Sequence, residues 1–128
     1  MKKTVIPLFV FLLSGCPLGD RVPFLPAEVN LVDERLCVAV DEEIVPAPEK
    51  ILRVRVWSYE AQKEVYIKNL AYSTLMLDAH RCAQALEGFH FVEGKTYSVS
   101  VDTSSHHYVT HGFTVLTSGG EIAIEHKQ

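Results

Sequence analysis

Short runs of alternating or β-branched residues, each closed by turn chemistry, recur from residue 28 to residue 125 and constrain this chain more than any other feature. A period of two puts successive side chains on opposite faces of a strand, so the pattern fits an antiparallel all-β domain. Strands are predicted at 28–32, 35–40, 51–59, 64–70, 74–77, 96–102, 108–116 and 121–125. The cleanest alternation is Tyr97-Ser98-Val99-Ser100-Val101, which directs Tyr97, Val99 and Val101 inward and both serines outward. Pro46-Ala47-Pro48 cannot occupy a central strand and marks the crossing after the second one. Thr117-Ser118-Gly119-Gly120 predicts a hairpin between the last two strands, because glycine tolerates the positive φ of a tight turn. Only 78–87 departs from the pattern. Asp78 is a candidate cap, Ala79, Ala83, Ala85 and Leu86 suit a helix and Gly88 would end it, so one short helical turn is expected there.

Ahead of this pattern stands a different kind of segment. Lys2 and Lys3 precede an apolar run, 5–13, interrupted only by Pro7. That run is too short to cross a hydrocarbon core, which needs about 20 residues, so it reads as a processing signal. It closes with Leu13-Ser14-Gly15-Cys16, which resembles the lipobox of bacterial lipoproteins. The resemblance implies lipid on the Cys16 sulfur and cleavage after Gly15; an ordinary secretory peptide ending near a cysteine is the other reading. The organisation expected is a signal peptide at 1–15, a lipidated N-terminus and Pro-rich tether at 16–26, and a β domain at 27–128. Pro17 follows the anchor where, by resemblance to enterobacterial lipoproteins, an aspartate would favour inner-membrane retention. The periplasmic side of the outer membrane is therefore expected.

With Cys16 carrying lipid, only Cys37 and Cys82 remain. One disulfide is the sole pairing open to them in an oxidising compartment, with two buried free thiols as the alternative. Charge points the same way as the lipid. The chain has 12 basic and 16 acidic side chains, and the leader removes Lys2 and Lys3 but no acid, which leaves a formal charge of −6. Nucleic acid and anionic lipid are poor partners for such a surface. Attachment to the membrane must come from the lipid, and a basic protein is the favoured partner.

Glu93-Gly94-Lys95-Thr96-Tyr97 resembles the approach to strand F of immunoglobulin-like and fibronectin type III domains, where a tyrosine hydroxyl returns to the backbone at a corner. With seven or eight strands, the resemblance implies an immunoglobulin-like, Greek-key antiparallel β-sandwich rather than a barrel.

Segment 51–59 separates Leu52, Val54 and Val56 from Arg53, Arg55, Trp57 and Tyr59 by parity. Segment 64–70 repeats the split, with Val65 and Ile67 expected inward and Glu64, Tyr66 and Lys68 outward. If the two pair, Arg53, Arg55, Trp57, Tyr59 and Tyr66 share an outer face, and these residue types are enriched where proteins bind each other. The alternatives are a bulge that returns Trp57 to the core, or rings that lie over arginine stems for packing alone. His107, Val109 and His111 would share a strand face near His106, but no third ligand lies nearby in the sequence, so no metal and no cofactor are expected. Asp41-Glu42-Glu43 reads as a solvated turn, Ser104-Ser105-His106 as mere adjacency, and Gly119-Gly120 lacks the helix that phosphate binding needs. No catalytic residue is assigned, and the chain reads as a non-enzyme.

The leader ending in Cys16, the stretch Cys16-Pro17-Leu18-Gly19-Asp20-Arg21-Val22-Pro23-Phe24, Leu36-Cys37-Val38, and Cys82 with Phe91-Val92-Glu93-Gly94-Lys95-Thr96-Tyr97 together resemble one group of small enterobacterial periplasmic lipoproteins. That group is regarded as immunity proteins of type VI secretion. The resemblance implies a binding protein that neutralises a toxic effector delivered into the periplasm by a neighbouring cell. A structural outer-membrane lipoprotein of a secretion or envelope complex is the alternative, and small-ligand or metal binding a third.

Overall fold

A computed structural model of the chain describes residues 24–126. The leader, Cys16 and the tether before Phe24 lie outside them. Nine strands follow one another: β1 (Phe24–Val32), β2 (Arg35–Ala39), β3 (Glu49–Ser58), β4 (Lys63–Asn69), β5 (Met76–Leu77), β6 (Thr96–Thr103), β7 (His107–Thr110), β8 (Phe113–Ser118) and β9 (Glu121–His126). All belong to one curled sheet. Its main path runs β2-β1-β7-β6-β3-β4, with β5 on β3 and the β8–β9 hairpin on the start of β6. Every contact between neighbours is antiparallel except β1 with β7.

Local chemistry explains the strand limits. β1 begins earlier than alternation suggested, so Phe24, Leu25 and Pro26 belong to the sheet and not to a tether. Pro26 is tolerated because β2 pairs only from Glu28 onward, leaving the preceding stretch of β1 with β7 as its one neighbour. The segment predicted as one strand over 108–116 is interrupted at His111-Gly112, where the pairing with β6 slips by one residue between Val109↔Ser100 and Phe113↔Tyr97. Inside this gap the Thr110 hydroxyl accepts the Val99 N–H at 3.0 Å. The predicted hairpin over 117–120 forms, with Gly119 and Gly120 at φ of 62° and 86° joining Ser118 to Glu121.

No helix occurs among the described residues, so the helical turn expected at 78–87 does not form. Tertiary bonding overrides the local propensity there. Cys82 is joined to Cys37 with 5.4 Å between their Cα atoms. Beside that bridge Val38 and Ala83 exchange both backbone hydrogen bonds, at 2.9 and 2.7 Å, which needs extended rather than helical backbone. The edge of β2 is thereby closed.

One face of the sheet is the core. Val29 of β1, Val54 and Val56 of β3, Val99 and Val101 of β6 and Tyr108 of β7 are fully buried, with Ile51, Leu77 and Phe113 packed among them. Each such side chain contributes about 1.5–3 kcal/mol by leaving water. A bulge near Leu52 lets Ile51 and Val54 both face inward, and Leu52, expected inside, is only half-buried. At one end, Phe91, Tyr97 and Phe113 stack at 5.1 to 6.3 Å, and the Tyr97 hydroxyl accepts the Val92 N–H at 3.0 Å.

Candidate partner-binding face

The opposite face of the sheet is open, and the register of β3 decides what it shows. Val54 and Val56 turn inward, so Arg53, Arg55 and Trp57 turn outward, opposite Asp102, Ser100 and Ser98 of β6. Trp57 stays 40% exposed, and Tyr59, just past the strand, 42%. The tryptophan therefore does not return to the core. Tyr59 lies over Gly112, where an added Cβ would stand 2.9 Å from the ring hydroxyl, so the bare glycine makes room for it.

β4 corrects the expected face. Val56 pairs with Tyr66 and Val54 with Lys68, so Tyr66 points to the core side and is not a neighbour of Trp57. There it packs 5.2 Å from Phe89 and donates its hydroxyl to the Glu87 carbonyl at 3.2 Å. Ile67 and Val65, expected inside, are exposed instead, and a register shift beside Trp57 brings Glu64 opposite it. The outer face thus joins Arg53, Arg55, Trp57 and Tyr59 with Val65 and Ile67, residues that parity had assigned to the core.

Asp102 organises this face, a role sequence reasoning missed; its outward parity after Val101 was the one signal the sequence carried. Its nearly buried carboxylate accepts Arg53 Nε at 2.9 Å, Arg55 Nη2 at 3.1 Å and His107 Nδ1 at 2.6 Å. Arg55 also reaches Glu64 through Nη1 at 3.2 Å, so it bridges β6 and β4 across β3. His107 stacks on Phe24 at 5.8 Å. His106 meets Glu49 instead, at 3.1 Å, and His111 is exposed beyond the end of β7, so the three histidines do not converge. Glu49 also accepts the hydroxyls of Thr103 at 2.7 Å and Tyr108 at 2.9 Å.

Burial pushes the Asp102 carboxyl up, but the hydrogen bonds from His107 and Arg53 and the charges of Arg55 and His107 outweigh it and hold the group below its ordinary value. Glu49 behaves alike: burial raises it, while the bonds from Thr103, Tyr108 and His106 bring it below its ordinary value. Tyr108 is pushed far up, by burial first and then by Glu49. Linkage gives the signs. As pH falls below the ordinary values of 3.8 and 4.5, an unfolded chain binds protons that the folded one still refuses, so this stability is present above them and lost on acidification. Above the ordinary tyrosine value of 10.0 the unfolded chain releases a proton that folded Tyr108 keeps, so stability falls again with rising pH. Urea unfolding across pH should show both limbs. Asp102→Asn should remove about 2 kcal/mol near neutral pH, moderated because Arg53 keeps contact with water, and should flatten the acid limb.

An all-β, disulfide-bonded domain with ion-paired arginines and exposed aromatic rings on one face of its sheet is the class defined so far. A family model described as Domain of unknown function (DUF7480) matches residues 24–115, and the chain belongs to that family. No curated protein and no solved structure matches the chain.

Proposed function

We propose that this chain is a lipid-anchored periplasmic binding protein of the immunity type, which neutralises a type VI secretion effector by gripping it and performs no chemistry itself. The observation that carries the reading is Trp57, 40% exposed on a strand whose neighbours Val54 and Val56 are fully buried. Arg55 beside it is held by Asp102 and Glu64, so little side-chain freedom is lost when a partner arrives. The lipobox resemblance at Cys16 supports the location. The Tyr97 hydroxyl bonded to Val92, after the turn at Gly94, supports reading the curled sheet as an immunoglobulin-like Greek-key sandwich.

Trp57→Ala tests the reading, with the protein encoded beside this chain's gene as the probe, since immunity genes tend to sit beside their effectors. Its melting temperature should stay near that of the parent while calorimetric affinity for that protein drops about 30-fold, roughly 2 kcal/mol. Unfolding would make Trp57 a structural residue. Unchanged affinity would move the partner to the loops around His106 to His111, and no binding by the parent itself would favour a structural lipoprotein of the envelope.

A further inference from the structure

We propose that the partner enters at the free edge of β4, by adding an extended segment of its own as the next strand of the sheet, and that this segment alternates apolar with acidic residues. The inference rests on the outer-face reading above and specifies how that face is engaged.

The main sheet path has two ends. At β2 the edge is occupied by the Val38–Ala83 bonds and the Cys37–Cys82 bridge. At β4 no further strand follows among the described residues. The phase of the ladder shows which groups that edge offers. Leu70 donates its N–H to the Leu52 carbonyl at 2.7 Å, in the register that pairs Lys68 with Val54 and Tyr66 with Val56. In an antiparallel pair, bonded and non-bonded positions alternate, so Leu70, Lys68 and Tyr66 turn their backbone groups to β3. Ile67 and Asn69 turn theirs outward, to the free edge. An incoming strand finds unpaired donors and acceptors there, which is the basis of recognition by strand addition.

Side chains set the preferred sequence. On the outer face Ile67 is 59% exposed, with Val65 and Trp57 beside it. Apolar residues at every second position of the added strand would cover them. On the other face of β4 stand Lys68, opposite Val54, and Lys63, opposite Ser58. Both are exposed, and neither has an ion pair among the described residues. Carboxylates at the intervening positions would meet them. The cationic edge stands out against the acidic balance of the whole chain. A second copy of this chain is a poorer occupant, because exposed lysines and the bulge at Val65 are features that deter edge-to-edge pairing of like chains.

The probe is a synthetic octapeptide alternating valine and glutamate, compared with one alternating valine and lysine. Binding to the intact protein is measured by calorimetry, and amide exchange by NMR. The glutamate peptide should bind at least ten-fold more tightly and slow exchange at Ile67 and Asn69. Ile67→Pro removes the outward donor without touching the bonds to β3 and should lose ten-fold or more, whereas Ile67→Ala keeps the donor and should lose only a few-fold. Equal binding of the two peptides, protection elsewhere, or an Ile67→Pro variant that binds like the parent would each overturn strand addition. Should Ile67→Pro fail to fold, the peptide comparison and the exchange pattern on the unaltered protein decide the question. Against the neighbouring gene's product, a loss at Trp57→Ala with none at Ile67→Pro keeps the outer-face reading and rejects this one. No loss at either rejects both.

Discussion

Cys37→Ser is expected to destabilise the domain by about 2 to 4 kcal/mol, read as a lower urea midpoint under non-reducing conditions. The bridge closes a span of 45 residues, and the chain-entropy model assigns a loop of that size about 4 kcal/mol. The upper figure supposes that nothing else is disturbed. Val38 and Ala83 flank the bridge and exchange two backbone bonds, so loosening it also reopens the edge of β2. A double variant Cys37→Ser, Cys82→Ser should cost about as much as the single one, because one cross-link is lost in either case. Thiols that label freely in denatured, unreduced protein taken from its native cell would show that the bond is not formed there.

Phe113→Ala should cost about 4 kcal/mol, at the upper end for this protein, since a fully buried ring leaves both its transfer energy and a cavity behind. The site has little freedom to collapse. Phe113 touches Phe91 and Tyr97, pairs with Tyr97 of β6 on one side and with His126 of β9 on the other, and so begins the strand that, among the described residues, pairs the last hairpin with the rest of the sheet. Faster amide exchange through 113–126 than through β3 should accompany the lower midpoint. Uniform acceleration would mean that the hairpin and the sheet open as one unit.

Much of this architecture was legible in the sequence, because alternation is a direct imprint of a half-buried strand. Tyr97, Val99 and Val101 are buried and Ser98 and Ser100 sit on the other face, as the period of two required. The outward placement of Trp57 followed from the same parity. What failed was set by contacts remote in sequence. The alanines of 78–87 favour helix locally, yet the bonds from Val38 hold Ala83 extended. Val65 and Ile67 are apolar and were assigned inward, but the register with β3 and the space beside Phe89 put Tyr66 there. Asp102 lay in plain view, although its value as a shared anion for Arg53, Arg55 and His107 exists only once three strands lie side by side.

The parallel pairing of β1 with β7 sets where Phe24, the first described residue, lies relative to the outer face. Phe24 lies opposite His107, His107 opposite Asp102 and Asp102 opposite Arg53, so Phe24 lies level with Arg53. Both β1 and β3 run antiparallel to β6 or parallel to its partner β7, and therefore point the same way. From Arg53 to Trp57 the strand climbs about 13 Å at about 3.3 Å per residue. Trp57 and Tyr59 thus stand at the end of the sheet away from Phe24, so in the proposed anchored state the partner-binding end would be the one farther from Phe24.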